Sequence, residues 1–305
     1  MYIIELANYH FLLTINLYQL EKQIINTQNK HLQDKSIKNQ TKRLNQRVLE
    51  LNKQTPVTEC LAVATELDKL AQIHCDQKEF DQAKFLFEQA LTIRKKVHGT
   101  NYHPDIATGI HKLALLHNEQ KAYVRADLLY KQALIIREKI LGPEHPETAA
   151  IFFNLGKLNQ NLKDFKKAES YFKRALAIRE KHFGAEHKSV ATILSNLAVL
   201  ADDQGDCEQT KLLHERALAI QKKVLGPEHP DVALSLWHIA GWYEDQNDYE
   251  QAKLLYEQAL KIYKNIYPST HPHLGQCLEE YNDLLVEIEN ATPKPKGWLR
   301  KVFGF

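Results

Sequence analysis

Apolar residues recur at helical spacing along most of the chain, and short polar turns interrupt them at regular intervals. In residues 149–182, Ile151, Leu155, Leu158 and Leu162 mark one face of a first helix. Beyond the polar pair Lys163-Asp164, a second face is marked by Phe165, Ala168, Phe172, Ala175 and Leu176. The same unit returns down the chain. His103, His145, His187, His229 and His271 stand 42 residues apart, and so do Ala133, Ala175, Ala217 and Ala259, with Ala90 a further 43 before them. Four of those histidines precede a proline, and the segment LGPEHP at 141–146 is repeated at 225–230. A fixed period of this length predicts stacked supersecondary units, each burying its apolar face against the next.

Side-chain size follows the same rhythm. Ala71, Ala114, Gly156, Ala198 and Ala240 sit where the first helix of each unit must cross its partner, and Ala83, Ala126, Ala168 and Ala252 match them on the second. Rings fill the space beside them: Phe80, Tyr123, Phe165 and Tyr249, then Phe87, Tyr130, Phe172 and Tyr256. Small residues allow helix axes to approach to about 8–10 Å, with the rings locking the pair. The unit near residue 188 departs from the rule, because Cys207, Thr210 and His214 stand for aromatic, Ala and aromatic. It reads either as a drifted unit compensated by its neighbours or as a looser joint.

The spacing N-L-G-x₁₁-A-x₃-F-x₂-A, from Asn154 through Gly156, Ala168, Phe172 and Ala175, resembles the tetratricopeptide repeat. The 42-residue form, with its L-G-x-E-H-P loop and the R-A-L-A-I runs from Arg174 and Arg216, is similar to the repeats of kinesin light chains. The resemblance covers about residues 57–290. It implies an all-α, right-handed superhelical solenoid of helical hairpins. Five repeats begin near Pro56, Pro104, Pro146, Lys188 and Pro230, and a closing helix from about Pro272 to Asn290 exposes Glu279, Glu280, Asp283 and Glu287. The expected organisation is an N-terminal helical segment at 1–54, the repeats and closing helix at 55–290, and a basic aromatic tail at 291–305.

Composition narrows the function. With 44% hydrophobic and 26% charged residues, 11 Gly and 10 Pro, the chain reads as a folded, helix-rich protein. A formal net charge of +2 argues against bulk nucleic-acid binding. The charge is uneven, however. Residues 1–54 and 291–305 carry +4 each, which leaves −6 for the body between them. Cys60, Cys75, Cys207 and Cys277 are scattered like reduced thiols of a cytoplasmic protein. The uncharged run from Leu6 to Leu20 is shorter than the roughly 18–20 apolar residues of a membrane span, and it lacks the basic start of a secretory signal. No P-loop, H-E-x-x-H, G-x-S-x-G or G-x-G-x-x-G occurs, so no enzyme activity, cofactor or metal is expected. The periodic histidines lie about 10 Å apart or more by helix packing, too far to share an ion, and are expected to act at helix starts.

A solenoid of helical hairpins offers a concave groove lined by the first helix of each repeat. Counting from the crossing position places Lys112, Asn154, Lys157, Asn196, Asp203, Trp237, His238 and Glu244 on that face, mildly basic at one end and acidic at the other. An amide both donates and accepts, so Asn154 and Asn196 suit an extended peptide backbone of any sequence. The kinesin-light-chain resemblance implies that role for these two positions. An Asn bonded within its own hairpin is the alternative. The acidic end favours a partner segment with Lys or Arg near one end. The reading is thus a non-enzymatic adaptor or scaffold. Two alternatives stand beside it: a membrane-peripheral assembly or regulatory factor, and a secreted bacterial effector. The first would act through tail residues Trp298, Arg300, Lys301 and Phe303, which could also bind a partner or dock in the chain's own groove. The second rests on the Asn/Lys/Ile-rich N-terminal segment. That segment lacks Gly and Pro and reads as a helical cap, or as a weak dimerising coiled coil through Leu6, Leu13 and Leu20 and through Ile37, Leu44 and Leu51.

Overall fold

The computed structural model describes residues 56–291, together with residues 36, 37, 39–44, 46–48 and 50. Helices follow one another in pairs: α1 (Val57–Asp76) with α2 (Phe80–His98), α3 (Pro104–Glu119) with α4 (Tyr123–Leu141), and α5 (Pro146–Asn161) with α6 (Phe165–Phe183). Then come α7 (Lys188–Asp203) with α8 (Cys207–Leu225), α9 (Pro230–Asp245) with α10 (Tyr249–Ile266), and the single helix α11 (Pro272–Ala291). No strand occurs among the described residues. The chain divides into two compact units, Met1–Ile136 and Arg137–Phe305.

Local chemistry starts and stops each helix. His103, His145, His187 and His229 are N-caps whose ring nitrogen accepts the backbone N–H two residues on, at 3.2, 3.2, 3.2 and 3.1 Å. That is the bond a Ser or Asp cap usually accepts, worth about 1 kcal/mol. Three of the four are followed by Pro at the first helical position, where the missing N–H costs nothing. The turns between paired helices also repeat. Lys78, Lys121, Lys163 and Asn247 take a left-handed φ of 58–61°, and Gly205 takes the same corner at 77°. Asp164, Asp206 and Asp248 then cap the second helices by accepting the N–H three residues along.

Packing follows the small-residue ladder. Ala71, Ala114, Ala198 and Ala240 are fully buried, as are Ala83, Ala126, Ala168 and Ala252. Phe87, Tyr130, Phe172 and Tyr256 are at most 3% exposed beside them. In the drifted fourth hairpin Thr210 and His214 are nonetheless buried, at 0% and 6% exposure. In the first unit Ile37 and Leu44 are buried in one core with Val63, Leu67, Phe87 and Leu113, and Arg47 pairs with Glu66 at 2.6 Å. The remainder of residues 1–54 lies outside the described residues, as does the tail beyond residue 291.

Candidate functional site

Three repeating positions meet where the first helices of neighbouring hairpins lie over the second helix between them. In the first unit they are Asp68 on α1, Arg94 on α2 and Lys112 on α3. Asp68, 3% exposed, accepts from Arg94 at 2.6 Å and from Lys112 at 2.7 Å. Lys112, expected to present a charge to a partner, therefore spends it on a buried carboxylate of its own chain, although its side chain keeps 36% exposure.

In the second unit the first-helix face is lined differently. Asn154 is half-buried on α5, and Lys157 is exposed one turn on, its ammonium 6.0 Å from the Phe153 ring. Asn196 on α7 donates one amide N–H to its own helix, at Thr192 O, 2.8 Å away, which leaves the second N–H and the Oδ1 acceptor for a partner. Asp203 is exposed and accepts from Gln160 at 2.9 Å, tying the ends of α5 and α7 together. The His238 side chain on α9 keeps solvent contact, yet desolvation by the protein packed around its ring holds its pKa below the ordinary histidine value, with Glu280 opposing the shift and His273 adding to it.

Trp237 and Glu244 also differ from the sequence expectation. Trp237 was expected on the open face, but it is only 8% exposed. It turns inward because its indole N–H finds Glu280 at 2.6 Å while its ring meets Tyr263 edge-on at 6.4 Å and His273 at 6.1 Å. Glu244 is half-buried and accepts from the Tyr256 hydroxyl at 2.9 Å. Its pKa is raised, first by burial and then by Glu287, Asp245 and Glu280 around it. The Asp202 carboxyl is raised too, by burial and by its neighbours Asp245 and Asp203. The acidic end foreseen in the sequence is thus a place where negative charges crowd each other. A cation would be welcome there.

A pocket of about 340 Å³ opens between α7 and α9 above α8. Asn196 and His238 line it together with Ser195, Ser235, His214 and Gln221. Sequence reasoning missed His214 and Gln221 as lining residues. The signal was present, since His214 breaks the aromatic ladder and Gln221 breaks a second ladder, Arg94, Arg137 and Arg179.

The tail residues Trp298, Arg300, Lys301 and Phe303 lie outside the described residues. Among the described residues no helix is long and apolar enough to cross a membrane. His98, His103 and Asp105 bring three possible metal donors within 4.8 Å of one another. The two rings, however, stack face to face at 3.4 Å, so their in-plane lone pairs run parallel instead of converging on one ion. The Nδ1 of His103 is already committed to the helix cap.

Consecutive helical hairpins at a 42-residue period, with polar side chains gathered on their first helices, define a repeat scaffold for protein–protein interaction. The tetratricopeptide repeat family matches residues 60–138, 105–181, 158–223 and 189–265, and the chain belongs to it. The structure of BtubC (BKLC) from P. vanneervenii is 21% identical over 86% of this chain and 94% of that one, with a TM-score of 0.58. The nearly identical TPR-like repeats of a Podosopora anserina protein assigned as a kinesin light chain are 26% identical, covering 67% of this chain and 97% of that one, with a TM-score of 0.56. Among curated proteins none matches. Repeats of this family generally bind protein partners and are non-catalytic.

Proposed function

We propose that the chain is a non-enzymatic adaptor that binds an extended peptide segment of a partner protein along the first-helix face of its repeats. The observation that carries the reading is one repeat position on three successive first helices, occupied by Asn154, Asn196 and His238. The last two also border the pocket between α7 and α9. Side chains of this kind offer hydrogen bonds to a peptide backbone whatever its sequence. Lys157, Asp203 and Glu244 flank the row and would set the direction of the bound segment. The crowded carboxylates at Asp202, Asp203, Glu244 and Asp245 favour a partner segment with Lys or Arg near one end. Four free thiols suit a reducing compartment, and the cytoplasm is the location we assign.

A displayed library of random twelve-residue peptides, selected on the full chain, tests the reading. Enriched peptides should carry a basic residue. They should bind at least tenfold more weakly to an Asn154→Ala/Asn196→Ala variant whose circular dichroism matches the parent. Failure to enrich any peptide, or equal binding by the variant, would remove the function from this face.

A further inference from the structure

The constellation that joins the first two hairpins has a counterpart in the second unit, with its charges removed. Advancing Asp68, Arg94 and Lys112 by three repeat periods leads to Ser195, Gln221 and His238. In the first set a guanidinium and an ammonium converge on a carboxylate and fill the joint. In the second, three shorter uncharged side chains line the 340 Å³ pocket. His214 widens it further, standing where Phe87, Tyr130, Phe172 and Tyr256 stand in the other hairpins.

Hydrogen bonding gives that pocket a polarity. Thr192, Ser195 and Asn196 each donate to a carbonyl of α7 itself, those of Lys188, Ala191 and Thr192, at 3.2, 3.1 and 2.8 Å. The hydroxyl donors of Thr192 and Ser195 and one amide N–H of Asn196 are therefore spent, and their oxygen lone pairs remain for anything entering. Gln221 is 91% buried, and its Oε1 has no hydrogen-bond partner, a costly state for a buried carbonyl. Asp231, at the first turn of α9, adds a carboxylate to the lining. No Lys or Arg lines the pocket, burial pushes the His214 pKa down to about 4, and desolvation also lowers that of His238. A pocket with an unpartnered buried carbonyl, further oxygen acceptors and a bordering carboxylate fits a cationic group made only of donors.

We infer that this pocket takes the arginine side chain of the partner peptide, which supplies in trans the guanidinium that Arg94 supplies in cis at the first joint. Five N–H donors in one plane match several oxygens at different angles better than a single ammonium does. The inference rests on the peptide-binding reading above and adds the side chain that the face selects.

The test uses the full chain labelled with ¹⁵N-histidine, titrated with N-acetyl-argininamide and, in parallel, with N-acetyl-citrullinamide, its neutral isostere. The His214 and His238 ring signals should shift saturably with the arginine probe. The citrulline probe should need at least tenfold more ligand for the same shift. Gln221→Arg restores the residue found in the earlier repeats and should abolish the response. His214→Phe should do the same by filling the pocket, and an unchanged or higher melting temperature in either variant shows that the fold is retained. No shift at either histidine, an equal response to citrulline, or an undiminished response in both folded variants would overturn the assignment. Peptide capture that depends on Asn154 and Asn196 without an arginine response overturns the pocket alone. Loss of both overturns the pocket together with the reading beneath it.

Discussion

The Cβ that Gly156 lacks would fall 2.6 Å from the ring of Phe172. Phe172 is fully buried, so the ring has nowhere to retreat without disturbing its neighbours. Every other hairpin carries Ala at this crossing position, whereas in the third the Phe172 ring takes the space that the alanine methyl would fill. Gly156→Ala gains about 1 kcal/mol of helix propensity and loses about 1–3 kcal/mol to overpacking, so a net destabilisation is expected. Gly241→Ala is the control. Its added Cβ meets only the Tyr256 hydroxyl, at 3.7 Å, so that variant should be stabilised by up to about 1 kcal/mol. Urea unfolding of the two variants should move the midpoint in opposite directions.

The buried pair Asp68–Arg94 sets a second expectation. Asp68→Ala leaves the Arg94 guanidinium, 8% exposed, without its counter-charge and should cost about 3–5 kcal/mol. Replacing both with apolar residues, Asp68→Leu with Arg94→Met, should recover most of that loss. Lys112→Met removes only the half-exposed partner and should cost less than about 1 kcal/mol. A double-variant cycle read by chemical denaturation separates the three. Equal costs for Asp68→Ala and Lys112→Met would mean that the pair is not the element holding the joint.

Glu280 closes the equivalent joint at the other end of the array. It accepts from the buried indole of Trp237 at 2.6 Å, with the Tyr256 hydroxyl 3.3 Å away. Glu280→Ala strands the indole N–H and should cost about 1–3 kcal/mol. Glu280→Gln keeps an acceptor and should cost clearly less. The measurement is the shift in melting temperature, and identical shifts would show that the indole bond contributes nothing.

Most of the fold was legible in the sequence because a repeat writes each packing rule several times. One alanine proves little, but Ala71, Ala114, Ala198 and Ala240 at a common interval mark a helix crossing. The cap role of the periodic histidines could be anticipated from their place before proline, while the acceptor nitrogen needed coordinates. The candidate site was less legible. Trp237 counts onto the open face by helical periodicity, and only the presence of Glu280 one repeat later draws it inward. The pairing of Asp68 with Arg94 joins residues 26 apart on different helices, so no local pattern reports it. Three of the left-handed turns fall on lysine, which has no special tolerance for that conformation, and only Asn247 and Gly205 announce the corner in their residue type.

His214 ties the drifted hairpin to pH. Burial is the main cause that lowers its pKa to about 4, and the facing His238 on α9 adds to it. In the unfolded chain a histidine titrates near 6.5, so between those values the unfolded state holds a proton that the folded state refuses. The stability that depends on a neutral His214 is fully present above about pH 6.5 and is lost as pH falls toward 4. This residue alone should contribute a loss of about 3 kcal/mol between pH 7 and pH 4. Asp202 and Glu244 act in the opposite sense, because their raised carboxyl pKa values make the folded state the better proton acceptor as pH falls. The whole-protein curve therefore mixes opposing slopes, and the readout must be a difference. His214→Phe puts an aromatic back at the position that Phe172 and Tyr256 occupy in neighbouring hairpins, and removes the titrating group. Urea midpoints of parent and variant should lie closest at pH 7 and diverge steadily below pH 6.5, with the variant the more stable. Parallel curves across that range would mean that His214 titrates normally and that its hairpin opens to admit the proton.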